Sequence, residues 1–75
     1  MRELVQFLAE SLVDQPDQVH VEETEGPEAV ILELTVAQED MGKVIGKQGR
    51  IAKAIRTVVK AATAKDAKPV FVEIQ

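Results

Sequence analysis

No cysteine occurs among the 75 residues, tryptophan and tyrosine are missing, and the only aromatic residues are Phe7 and Phe71. Without cysteine there are no disulfides, no thiolate metal ligands and no thiol redox chemistry, which fits a reducing cytoplasm. Serine and histidine each occur once, as Ser11 in a helical stretch and His20 on the polar side of a strand. A Ser-His-Asp triad would have to join these distant residues, so nucleophilic catalysis is not expected. Long apolar runs are missing too. The start, Met1-Arg2-Glu3-Leu4, with Glu10 following, fits neither a signal peptide nor a membrane span. Carboxylates are plentiful, yet strand alternation sends neighbours such as Glu22 and Glu23 to opposite faces, and Glu25 completes no hard-cation loop. The expectation is a soluble, cytoplasmic, non-enzymatic protein with no metal and no cofactor.

The 45% hydrophobic content is enough for one small domain over residues 1–75. A chain of this length buries roughly 60–65% of its unfolded surface and cannot divide its core. The net charge of -4 would ordinarily argue against a nucleic-acid partner. Its distribution reverses that argument. Residues 1–42 hold one basic residue against eleven acidic ones (-10), while residues 43–75 hold eight basic against two acidic (+6). Phosphate responds to the local basic surface within about 8–10 Å, the screening length at ordinary salt.

Apolar residues at helical spacing, Leu4, Val5, Leu8, Leu12 and Val13, predict an amphipathic helix over 2–14 that Pro16 closes. Alternation at Val19 and Val21 predicts a strand near 18–24. A turn at Glu25-Gly26-Pro27-Glu28 then leads to a second strand on Val30, Leu32, Leu34 and Val36. Glu39 and Asp40 mark a helix start, and Met41, Val44 and Ile45 form a short helix ended by Gly46. From Arg50 to about Thr63, Ile51, Ile55, Val58, Val59 and Ala62 share a packing arc opposite Arg50, Lys53, Arg56 and Lys60. Val70 to Ile74 alternate as a final strand. The order is αββααβ. Adjacent second and third strands would be parallel, because two helices join them.

Between the last two helices lies Val44-Ile45-Gly46-Lys47-Gln48-Gly49-Arg50. Glycine at both ends lets the chain turn sharply and bring N–H groups close to phosphate oxygens. Lys47 and Arg50 add positive charge, and the combination points to nucleic acid, RNA first. A nucleotide-binding P-loop is excluded: three residues separate Gly42 from Gly46 where four are needed, and Gln48 follows the lysine where Ser or Thr is required. A dinucleotide fingerprint fails for want of Gly-x-Gly.

The arrangement of strand, short helix, Gly-Lys-Gln-Gly, long basic helix and strand resembles the KH domain, and the preceding helix and strand match its type II form. The resemblance covers the whole chain. The segment Met41 to Ile55 is similar to the small bacterial single-KH RNA-binding proteins of the KhpA family. It implies an α+β fold with a three-stranded mixed sheet and three helices packed on one face. It also implies that Gly46, Lys47, Gln48 and Gly49 clamp about four nucleotides of single-stranded RNA beside a narrow apolar groove. Lys43, Arg50 and Lys53 would widen the positive rim. Ile45 and Ile51 are candidates for the groove, with at least one of them expected in the core. Many KH loops carry a large aliphatic residue where this chain has Ala52. Family membership further implies roles in RNA metabolism, RNA chaperoning and cell shape, with a homodimer or a larger KH-containing RNA-binding protein as partner.

Neither phenylalanine falls in the loop, so stacking on aromatic platforms is not the expected mode of recognition. Alternation places Ile31 and Phe71 opposite the helix-packed face, as a small apolar patch suited to a protein contact. The second functional class, which the net charge of -4 suggests, is an interaction or assembly module built on a KH scaffold with a weak or idle RNA groove. Charge reversal at the loop separates the two.

Overall fold

β-branched and leucine residues alternating with polar ones set the sheet. The computed structural model describes residues 1–75. Its central strand is β2 (Val30–Thr35), flanked by β1 (His20–Glu25) antiparallel and β3 (Val70–Ile74) parallel. The predicted parallel β2–β3 pair is present. Register puts Val21 beside Leu34 and Leu32 beside Val72, all four buried on one face. Three helices complete that side: α1 (Arg2–Leu12), α2 (Met41–Ile45) and α3 (Arg50–Ala62). Val5 and Ala9 of α1, Val44 of α2, and Ile55 and Val59 of α3 join the strands in one core. The architecture is the expected α+β arrangement, and no helix is long and apolar enough to cross a membrane.

The other face of the sheet is open. Its rows are Thr24, Ile31 and Phe71 at one end, then Glu22, Glu33 and Glu73, then His20 with Thr35. Ile31 and Phe71 are register partners, as alternation predicted, and Phe71 is well exposed. The three glutamates lie side by side across all three strands, so this face repels polyanions.

Two element boundaries depart from the sequence reading. α1 stops at Leu12, and Val13 is extended, where the spacing predicted helix to residue 14. The cause lies outside the helix: the N–H groups of Asp14 and Gln15 donate to the two carboxylate oxygens of Asp40, at 3.2 and 3.0 Å. A continuing helix would have turned those amides onto its own carbonyls. A short 3₁₀ turn, Pro16–Gln18, then leads into β1, which begins at His20 and runs to Glu25. On α3 the core line is Ala52, Ile55 and Val59, with Ile51 half-buried, while Val58 and Ala62 are exposed. Periodicity reveals a broad apolar arc, but the neighbouring elements decide where its centre falls.

Asp40 is the only buried charged residue, 1% exposed. It stands at the junction of the 3₁₀ turn Gln38–Asp40 with α2, and Lys43 Nζ lies 3.7 Å from its Oδ1. Its carboxylate thereby ties the α1–β1 connection to the start of α2.

Four substitutions check the register and the Asp40 tie. Leu32→Ala should cost about 3 kcal/mol in urea unfolding, whereas Ile31→Ala, one residue away on the open face, should cost about 1 kcal/mol or less. Asp40→Ala, which leaves two amides without their acceptor and Lys43 with Asp14 alone, should cost about 2–4 kcal/mol, with Asp40→Asn intermediate. Equal losses for Leu32→Ala and Ile31→Ala would contradict the register.

Candidate nucleic-acid interface

α2 is five residues long and contains Gly42, so it has little helical stability of its own and depends on what holds it. Val44 is fully buried, and Asp40 fixes the entry. Gly46 then ends the helix, donating its N–H to Gly42 O at 2.8 Å. Its φ of 77° with ψ of 173° belongs to glycine alone. A Cβ there would fall 2.3 Å from Ile51 Cγ1 and 2.9 Å from Ile51 N. Ile51 therefore braces the loop from below, which accounts for its half-buried state, while Ile45 remains exposed beside the loop. The expectation that at least one of the two isoleucines packs inward holds for Ile51.

The turn Lys47–Gly49 is left-handed at two successive residues, Gln48 (φ 58°) and Gly49 (φ 74°). Gly49 N–H closes it onto Gly46 O at 3.1 Å, and Arg50 N–H bonds Lys47 O. A non-glycine residue in this region is uncommon, and the strain sits at the tip where a ligand would be met. Arg50 Nη2 donates to Gln48 Oε1 at 3.0 Å, so the amide oxygen is taken and the Gln48 NH₂ group faces outward. Lys47, Gln48, Arg50 and Lys53 are all exposed, and no ion pair engages these cations.

Lys43 is placed differently. Its ammonium lies 3.2 Å from Asp14 Oδ2 as well as near Asp40. The hydrogen bond to Asp14, reinforced by that residue's charge and by Asp40, raises its pKa above the ordinary 10.5. Stability drawn from a raised lysine is complete below 10.5 and is lost as pH climbs through the raised value, so the pairing is intact at neutral pH. Lys68 does the same at the far end, bonding Glu25 Oε2 at 2.7 Å and Gly26 O at 3.0 Å, and it draws the Glu25 carboxyl below its usual range. Two of the eight cations in the basic half thus tie it to the acidic half. The six without such partners are Lys47, Arg50, Lys53, Arg56, Lys60 and Lys65.

Sequence reasoning missed two features. Asp40 looked like an ordinary helix-start acid; its burial depends on amides 25 and 26 residues away. Nor did it reveal the groove between the C-terminal half of α3 and β3, which Arg56 helps to form by donating its Nε to Val72 O at 3.1 Å. The basic arc on α3 was the available signal for the second.

The two glycines should respond unequally to substitution. Gly46→Ala should cost about 2–4 kcal/mol or displace the loop, while Gly49→Asn, in open space and in a region asparagine tolerates, should cost less than about 1 kcal/mol. Thermal unfolding of both variants checks this, and a silent Gly46→Ala would contradict the loop geometry.

The family described as KhpA/KhpB, KH domain, matches residues 2–74. A protein from Clostridium perfringens named RNA-binding protein KhpA is 69% identical over 74 residues, covering 99% of both chains. Namesakes from Clostridium acetobutylicum and Chlamydia trachomatis are 65% and 45% identical, over 99% of this chain and 99% and 95% of theirs. Among solved structures, Era of Aquifex aeolicus bound to GDP and AlF4⁻ aligns with a TM-score of 0.58 at 23% identity. That match covers 97% of this chain and 28% of Era, a likeness of fold. Full-length agreement with the family, together with a GxxG loop between α2 and α3, shows that the chain belongs to the KhpA/KhpB KH-domain family.

Proposed function

We propose that the chain binds single-stranded RNA without turnover, holding it at the Gly46–Gly49 loop. The observation that carries this is the loop itself: a backbone turned left-handed at its tip, with unpaired Lys47, Arg50 and Lys53 around it. Gly46 and Gly49 use their N–H groups inside the turn, so the donors for phosphate are the N–H groups of Lys47 and Gln48. The Lys47 ammonium and the outward Gln48 NH₂ add contacts to phosphate and sugar, and exposed Ile45 walls the apolar side for the bases. Lys43 contributes rigidity more than charge, since Asp14 and Asp40 already neutralise it. The relatives' shared description as RNA-binding proteins supports the same ligand.

One such clamp takes about four nucleotides, so its affinity is modest. Pairing with a second copy, or with a larger KH-containing protein, would raise it through effective concentration, and exposed Phe7 and Val58 on α1 and α3 supply apolar surface for the purpose. This reading places the protein in the cytoplasm, in RNA metabolism or RNA chaperoning, with effects on cell shape following from the RNAs it holds. The competing reading is an assembly module with an idle loop. The uncompensated cations argue against it, because idle charge of one sign at one site costs self-repulsion for no gain.

Fluorescence anisotropy with short single-stranded RNA pools, at several salt concentrations, tests the proposal. Wild-type binding should weaken with salt at a log–log slope of roughly -2, as for about three phosphate contacts. A Lys47→Asp, Gln48→Asp double variant with an unchanged folded spectrum should bind at least about tenfold more weakly. Equal binding by the two proteins would favour the assembly module.

A further inference from the structure

The helices cover one face of the sheet only, and the uncovered face carries a charge arrangement that folding itself disfavours. Glu22, Glu33 and Glu73 are register neighbours across β1, β2 and β3. Like charges directly opposite one another on adjacent strands destabilise a sheet. Nothing in the chain relieves them. None of the three is ion-paired, and their one side-chain hydrogen bond comes from Gln75, whose Nε2 donates to Glu33 Oε2 at 2.9 Å. Nor do they belong to a group that could hold a metal ion. Two residues back along β2 and β3, about 7 Å at strand rise, Ile31 and Phe71 form an apolar row parallel to the acidic one. Phe71 is 53% exposed and Ile31 half-buried. On the other side of the acidic row, His20, Glu22, Glu33, Thr35 and Gln75 border a polar hollow of about 330 Å³.

These rows have the spacing of a helix. Strands about 4.8 Å apart set the three glutamate positions at about 0, 5 and 10 Å along a line across the sheet. A helix laid on that line presents residues i, i+3 and i+7 at about 0, 4.5 and 10.5 Å, and at about 10 Å wide it also reaches the apolar row. We propose that the open face is a docking surface for a basic amphipathic helix of another protein. Lysine or arginine side chains of that helix lie over Glu22, Glu33 and Glu73, and its apolar side chains rest on Ile31 and Phe71. Charge selects this occupant: the acidic row repels RNA and anionic lipid, and a free cation has no use for the apolar row. A second copy would have to bring its loop and α3 flank, where its unpaired cations are, and would hide them in doing so. The inference goes beyond the RNA reading and does not depend on it. The glycine loop joins two helices of the covered side, so a partner on the open face leaves it free, and the protein can hold RNA and a basic protein together.

The test is an amide chemical-shift titration with a synthetic helical peptide of roughly 14 residues, about four turns, carrying lysines at i, i+3 and i+7 and leucines on the adjoining ridge. A scrambled peptide of the same composition is the control. Wild type should bind the first peptide saturably, with the largest shifts around Glu22, Ile31, Glu33 and Glu73 and none in the loop. A Glu22→Gln, Glu33→Gln, Glu73→Gln variant should bind it about threefold to a hundredfold more weakly, as for three exposed ion pairs lost, and should unfold at a higher temperature. Ile31→Ala should weaken it by about threefold or more. The triple variant should bind single-stranded RNA at least as tightly as wild type, and the Lys47→Asp, Gln48→Asp variant should bind the peptide unchanged, so this face and the loop fail separately. Equal binding of the scrambled peptide, unchanged affinity in the triple variant, or shifts confined to the loop and helices would each overturn the proposal. Self-association through the open face that excludes the peptide would also overturn it, by making a second copy the occupant.

Discussion

Asp40 enters the interior as the one charged side chain buried there, and the chain folds around its two oxygens. They accept from the backbone of Asp14 and Gln15 and face Lys43, three residues before Gly46. A carboxylate costs several kcal/mol to bury unless it is paired and hydrogen-bonded, so each of these partners is obliged to be where it is. The obligation ends α1 early, shapes the α1–β1 connection and anchors a helix too short to hold itself. Because α2 runs directly into the glycine loop, the position of that loop depends on a contact made about 25 residues upstream in the chain.

The same tie explains how an acidic protein keeps a basic site. Lys43 and Lys68 bind the two halves together, at opposite ends of the molecule, and their charge is used in doing so. The remaining cations of the basic half have no carboxylate within ion-pair range, and all but Lys65 follow the loop and one flank of α3. Most of the carboxylates are elsewhere, three of them in a row on the open sheet face. A strand of phosphates approaching this surface meets attraction along one path and repulsion beyond it, which gives orientation as well as affinity.

Much of this was legible in the sequence because it is local. Alternation in Val30 to Val36 and Val70 to Ile74 marked the strands and the face that packs, and it paired Ile31 with Phe71 before any register was known. The glycines at 46 and 49 marked the loop, and both adopt a positive φ. What escaped was non-local. Nothing near residue 40 says that its carboxylate will be claimed by amides 25 and 26 positions away, nor that Lys43 will turn from the loop to Asp14. The centre of the α3 arc was misjudged for the same reason: Val58 is as apolar as Val59, and the packing partners decide which is buried. Ala52, a departure from many KH loops, lies in the core, and Ile51 before it carries the loop.

The most direct measurement is a backbone amide chemical-shift map recorded as a short single-stranded RNA is titrated into the folded protein. The account predicts the largest changes at Lys47, Gln48 and their neighbours in the loop, weaker ones along the α3 flank, and none at His20, Glu22 or Glu33 on the open face. Changes confined to the open face or to α1, with the loop amides unmoved, would contradict it.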